Sequence, residues 1–178
     1  ANSSTAFLQL LAADRTHGPG RGGTSVTLVY LLYNLVYAAL SWPVGELSDR
    51  VGRRTILLAA YLLFAGTYAL LAWRADTAVL LAGFVLLGVH SALLEASQRS
   101  LLGDLVAPGA RGTAYGLYYT VVGAALLPAS IVAGVLWEHL GPRVALAADA
   151  ALALLAALLF AVSLPARGEY SERHGHAA

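Results

Sequence analysis

The chain of 178 residues contains no cysteine and no lysine. Without cysteine it has neither a disulfide framework nor a thiolate metal site, and its redox compartment cannot be read. Without lysine, every fixed positive charge is one of 11 arginines, so any sidedness must be read from arginine alone. Charge of either sign is scarce: 12% of residues are charged, against roughly 25% in a soluble domain, and 58% are hydrophobic. Water is therefore not the expected solvent. A phosphate-binding glycine loop, a His-Glu-x-x-His zinc site and a Gly-x-Ser-x-Gly nucleophile turn are all missing, which argues against an ATPase, a metalloprotease and a serine hydrolase. No enzymatic activity, cofactor or metal is expected. A net charge of +1 gives no footprint for nucleic acid.

What the chain does have is long uncharged stretches. Asp, Glu, Lys and Arg are absent from Gly22–Gly45, Thr55–Trp73, Thr77–Leu94, Gly112–Trp137 and Ala150–Ala166. At about 1.5 Å per helical residue, each can cross a hydrocarbon layer of about 30 Å. A buried soluble bundle is the alternative, but five such runs in succession leave no polar face to meet water. The runs predict an all-α, polytopic transmembrane bundle over 1–165. Its spans lie at about 24–45, 55–73, 77–98, 112–137 and 144–165, and a polar tail follows over 166–178.

Between the first two spans stands Gly45-Glu-Leu-Ser-Asp49-Arg50-Val-Gly52-Arg53-Arg54, ten consecutive positions. It resembles the G-x-L-x-D-R-x-G-R-R loop of the major facilitator superfamily of membrane transporters, in the flanking context that family requires. The resemblance covers nearly the whole chain. It implies secondary active transport of a small solute by alternating access, driven by an ion gradient or by the solute's own gradient. It also implies that Gly45, Asp49, Arg50, Gly52, Arg53 and Arg54 form a gate motif, with Glu95 and Arg99 as partners on the third of these spans. Asp49 could accept hydrogen bonds from an arginine, Arg53 could hold a carboxylate in its planar fork, and Gly45 and Gly52 would permit close approach and a tight turn.

The charged turn occurs twice. A shift of 89 residues lays Ser41, Gly45, Leu47, Gly52 and Arg54 on Ser130, Gly134, Leu136, Gly141 and Arg143, with Asp49 on Glu138. Three spans separate the copies, which puts them on opposite membrane faces as an inverted repeat of three helices each. By the same shift the first unit should begin before Ala1, so residues 4–13 are expected to be a truncated first helix. The missing partner would then be an amino-terminal half of six helices. A complete small carrier acting as a homodimer is the alternative, and a non-transporting membrane sensor or scaffold is the rival from another class.

Polar residues inside a membrane usually face a cavity or a partner. Tyr30, Tyr33, Asn34 and Tyr37 share a helical stripe and, with His90, are candidates for a solute path; interhelical hydrogen bonding is the competing role for Asn34. Tyr118, Tyr119 and Thr120 read as interfacial anchors. Pro128 removes a backbone hydrogen bond and is a candidate hinge. Glu95, His90 and Asp149 are the candidates for proton coupling, with a packed hydrogen-bonding role the competing reading for His90 and a structural role near the outer boundary that for Asp149. Glu95 and Arg99, four residues apart, are expected to join Asp49 and Arg53 in one cluster of four charges. Arg50, Arg53, Arg54, Arg99, Arg111, Arg167 and Arg173 fall on one side, and Arg15, Arg21, Arg74 and Arg143 on the other. By the positive-inside rule, the charged turn and the carboxyl terminus are expected in the cytoplasm, and the protein in the plasma (inner) membrane.

Overall fold

The computed structural model describes residues 22–74 and 76–163. The expected partial helix over 4–13, the tail, and Arg15, Arg21, Arg167 and Arg173 lie outside the described residues. Five α-helices follow one another: α1 (Gly22–Val51), α2 (Arg53–Trp73), α3 (Thr77–Leu105), α4 (Arg111–Leu140) and α5 (Pro142–Ser163), with a 3-10 turn at Pro108–Ala110 between α3 and α4. No strand occurs among the described residues. All five helices are long and apolar enough to cross a membrane.

Hydrocarbon offers no partner to backbone amides, so a spanning segment must satisfy them within itself, and the helix does this. The hydroxyls obey the same rule. Ser41, Thr67, Thr120 and Ser130 each donate to the carbonyl four residues earlier, at 2.6, 2.7, 2.8 and 2.7 Å. Large apolar side chains point outward in a way water would penalise: Leu127 is 71% exposed, Ile131 67% and Val162 79%. The molecule is an all-α transmembrane bundle.

Packing runs in the order α1, α3, α2, α5, α4. The main core joins Tyr68 and Leu71 of α2, Phe84 and Leu87 of α3, and Leu146 and Ala150 of α5. A smaller one joins Val44, Ile56 and Ala92. At Gly88 a side chain has no room, since an added Cβ would lie 2.8 Å from the Tyr33 carbonyl oxygen and 3.0 Å from Val36 Cβ. α1 and α3 meet at this point. Gly45, by contrast, would place a Cβ with nothing within 4 Å, so the close approach expected there is made at Gly88 instead.

The charged segment 45–54 is shorter as a turn than its sequence suggests. α1 stays helical through Val51, Gly52 alone breaks the path, and α2 begins at Arg53. Charges four apart, such as Glu46 and Arg50, can pair along a helix, so they prolong it past the uncharged run. The repeat is written into the backbone as well. α1 and α4 each have 30 residues and end at the two glycine joints. Gly52 (φ 104°) and Gly141 (φ 86°) are the positive-φ residues among those described. Their amides reach back to Ser48 and Trp137, at 3.0 and 3.1 Å. Short joints make successive helices antiparallel, so the two lie at opposite ends of the bundle.

If Gly88 sets the α1–α3 distance, Gly88→Ala should cost roughly 1–3 kcal/mol through overpacking, while Gly45→Ala should change stability by less than about 0.5 kcal/mol. Thermal unfolding of both variants in one detergent checks this; equal melting temperatures would remove Gly88 from that role.

Candidate functional site

Arg53 is the first residue of α2, placed by the Gly52 joint at the point where three helices end together. Its Nη1 donates to the Ser100 carbonyl of α3 at 2.8 Å and also pairs with the Asp104 carboxylate. Its Nη2 donates to Asp49 Oδ1 of α1 at 3.2 Å. The arginine side chain is only 25% exposed, whereas Asp49 and Asp104 are 64% and 60% exposed. One planar cation thus faces two carboxylates and a carbonyl, reaching α3 through Nη1 and α1 through Nη2, where an ammonium has a single nitrogen.

From Arg53 a row of polar contacts climbs between α1 and α3. Ser48 and Ser97, both buried, lie 3.1 Å apart through their hydroxyl oxygens. Next, Tyr37 donates to Glu95 Oε2 at 2.7 Å, and Arg99 donates to the same oxygen at 2.8 Å. Higher still, the Tyr33 hydroxyl meets Ser91 Oγ at 2.8 Å. Polar groups of this kind between helices are retained in lipid because their alternative is an unsatisfied group. α3 is also tied to α4: Tyr115 donates to the Arg99 carbonyl at 2.7 Å and Tyr118 to Gln98 Oε1 at 2.8 Å. Tyr118, expected as an interfacial anchor, joins α3 to α4 through this hydrogen bond.

Several sequence expectations are rearranged. The single cluster of four charges is two groups: Asp49 and Arg53 gather with Asp104, while Glu95 and Arg99 gather with Tyr37. Arg50 lies 3.9 Å from Glu46 on its own helix, and Arg54 reaches across to the Ala161 carbonyl of α5. The tyrosine stripe divides too. Tyr33 and Tyr37 are engaged with α3, Tyr30 stacks on Tyr33 with centroids 5.7 Å apart and is 44% exposed, and Asn34 donates to the Tyr30 carbonyl at 2.7 Å. His90 does not join them. It is buried against α2, with Nδ1 2.9 Å from the Ala60 carbonyl and its ring 4.8 Å from Phe64. Pro128 sits within α4 without ending it, and Pro43 does the same in α1.

Asp104 and Ser97 are the functional candidates that sequence reasoning missed. Asp104 falls in a stretch read as loop, and only the extension of α3 to Leu105 brings it to Arg53. The signal was available as a third charge, five residues beyond Arg99 on the same continuing helix.

A family model described as Major Facilitator Superfamily matches residues 3–177. An uncharacterised MFS-type transporter of Methanocaldococcus jannaschii is 37% identical over 74% of this chain and 33% of its own length. A puromycin resistance protein of Streptomyces alboniger is 35% identical over 78% of this chain and 28% of its own. The multidrug efflux pump LfrA of Mycolicibacterium smegmatis is 39% identical over 61% of this chain and 22% of its own. The chain therefore spans about a third or less of the length of these relatives.

The cysteine-free background allows the α1–α3 seam to be tested directly. Ser48→Cys with Ser97→Cys should cross-link on mild oxidation, while Ser48→Cys with Ser91→Cys should stay reduced. A mass shift or altered gel mobility reads the result, and cross-linking of both pairs alike would contradict the register described.

Proposed function

Because this chain belongs to the major facilitator superfamily, we propose that it forms one half of the machinery that carries a small solute across a membrane by alternating access. In this reading the Arg53 knot is a gate latch. It holds the ends of α1, α2 and α3 together in one state and releases them in the other. The observation that carries the proposal is that a single guanidinium contacts all three helices at one end, so that rearranging it changes the packing of three elements at once. Latches of this type bias a two-state equilibrium, and their worth lies in the difference between the states.

The supporting features extend along the seam. Tyr37, one turn beyond the Tyr30–Tyr33 stack on α1, donates to Glu95, which also holds Arg99, so the stripe and the charged residues of α3 lie on the same seam. Tyr30, Tyr33, Asn34 and Tyr37 form the wall offered to the solute, with Tyr30 the most open of these three tyrosines. Pro128 remains the proposed hinge of α4. Relatives named for puromycin resistance and multidrug efflux favour an organic solute moving outward. The charged end and the carboxyl terminus face the cytoplasm of a cell whose plasma (inner) membrane houses the bundle. The lipid bilayer and a second six-helix half are its structural partners. The driving force is an ion gradient or the solute's own.

The test is solute flux in the full polypeptide. Asp49→Asn and Asp104→Asn should each slow flux by about three- to tenfold, as expected for about 1 kcal/mol lost from one of two states, with surface expression nearly intact. Arg53→Lys should behave similarly, since one nitrogen replaces the two that reach α1 and α3. Wild-type flux in all three variants would sink the latch.

A further inference from the structure

A second feature lies away from the seam, where α2 and α5 pack together. Toward the end of the bundle opposite Arg53, the two helices leave a furrow of about 620 Å³ between them. Its walls are Ala69 and Ala72 on one side and Ala147 and Ala151 on the other. Alanines keep the helix surfaces low, and the side chains that would fill the gap are missing. The furrow reaches inward to Leu154. From Arg143 to Leu154 along α5 is about 16 Å at the helical rise, close to half of a hydrocarbon layer of about 30 Å. It is therefore about one leaflet deep.

The mouth differs from the walls. Trp73, 82% exposed, flanks it in the manner of an aromatic residue at a membrane interface. Arg143 lines it from the other side, is exposed, and has no carboxylate partner among the described residues. Its neighbour across the mouth, Arg74, is 3.9 Å from Asp76. The furrow thus presents a cation at its interfacial end and a hydrocarbon surface below it.

We propose that the furrow is a phospholipid site: one acyl chain lies along the alanine walls, and the lipid's phosphate meets the Arg143 guanidinium. The choice of occupant follows from shape and charge. A helix from a second copy would satisfy Arg143 only by setting a carboxylate at the mouth, whereas a phospholipid carries its anion at that level of itself. Water finds no hydrogen-bonding partner on alanine walls. An arginine held at the headgroup level calls for an anion, and phosphate accepts its fork in the bidentate way a carboxylate does. The proposal rests on the placement of the bundle in a bilayer and not on the transport reading.

Native mass spectrometry of the full polypeptide in mild detergent, titrated with dioleoyl phosphatidylglycerol, tests it. Wild type should hold one more lipid per protein than Arg143→Gln or Ala147→Phe, with lipid affinity about tenfold weaker in each variant. Arg143→Lys should recover part of the loss. Melting temperatures establish that the variants fold, and Ala151→Leu replaces Ala147→Phe if the larger side chain does not. Equal lipid occupancy in wild type, Arg143→Gln and the furrow-filling variant would overturn the site. Inorganic phosphate or glycerophosphate displacing the lipid at equal concentration would also overturn it, as would a second protein copy lost in step with Arg143. Normal lipid retention with absent flux would count against transport alone.

Discussion

Arg53 holds a position that few residues in a membrane bundle can fill. Lipid tails are as apolar as the helices they surround, so no hydrophobic force presses helix against helix; close packing and a few polar contacts must do it. Here the polar contacts converge on one cation that begins α2 while bonding α1 and α3. Its two carboxylates are largely exposed, so each pair taken alone is a weak surface ion pair. Geometry gives the group its influence. Because the three helix ends share one fork, movement of α2 breaks its bonds to both α1 and α3, and movement of either of those breaks its own.

The seam above Arg53 shows how little polarity is needed to set helix register in lipid. Three side-chain pairs, Tyr33 with Ser91, Tyr37 with Glu95 and Ser48 with Ser97, fix α1 against α3. Between them Gly88 lets the two backbones close in. Close approach and hydrogen bonds reinforce each other, since the hydroxyls reach across only where the helices are near. On the other flank α2 and α5 meet through apolar contacts around Leu71 and Leu146. The bundle therefore has a polar seam on one side of α2 and α3 and an apolar one on the other.

Much of this architecture was legible because a bilayer allows so few solutions. An uncharged run long enough to cross has to be a helix, and glycine followed by arginine after Asp49 has to turn somewhere. Helix ends were harder to read. Charged residues four apart support one another on a helix, so α1 continues through Glu46 and Arg50 and α3 runs past Arg99 to Leu105, beyond the expected spans. Facing was the least legible property. An amphipathic helix announces its inner side, but α3 carries polar residues on more than one face, and nothing in its sequence says that His90 turns toward α2 while Ser91 turns toward α1. Asp49 and Arg53 could be paired from their spacing alone; Asp104, far along the chain, could be placed only by the fold.

The joints at Gly52 and Gly141 share a left-handed turn, and each returns its amide to the carbonyl four residues earlier. As backbones they are interchangeable, although they stand at opposite ends of the bundle. Only the side chains differ, for Arg50 and Arg53 of the first copy are His139 and Pro142 in the second. The two joints offer the chain the same turn, and the arginines kept at one and lost at the other make the two ends of the bundle chemically unlike.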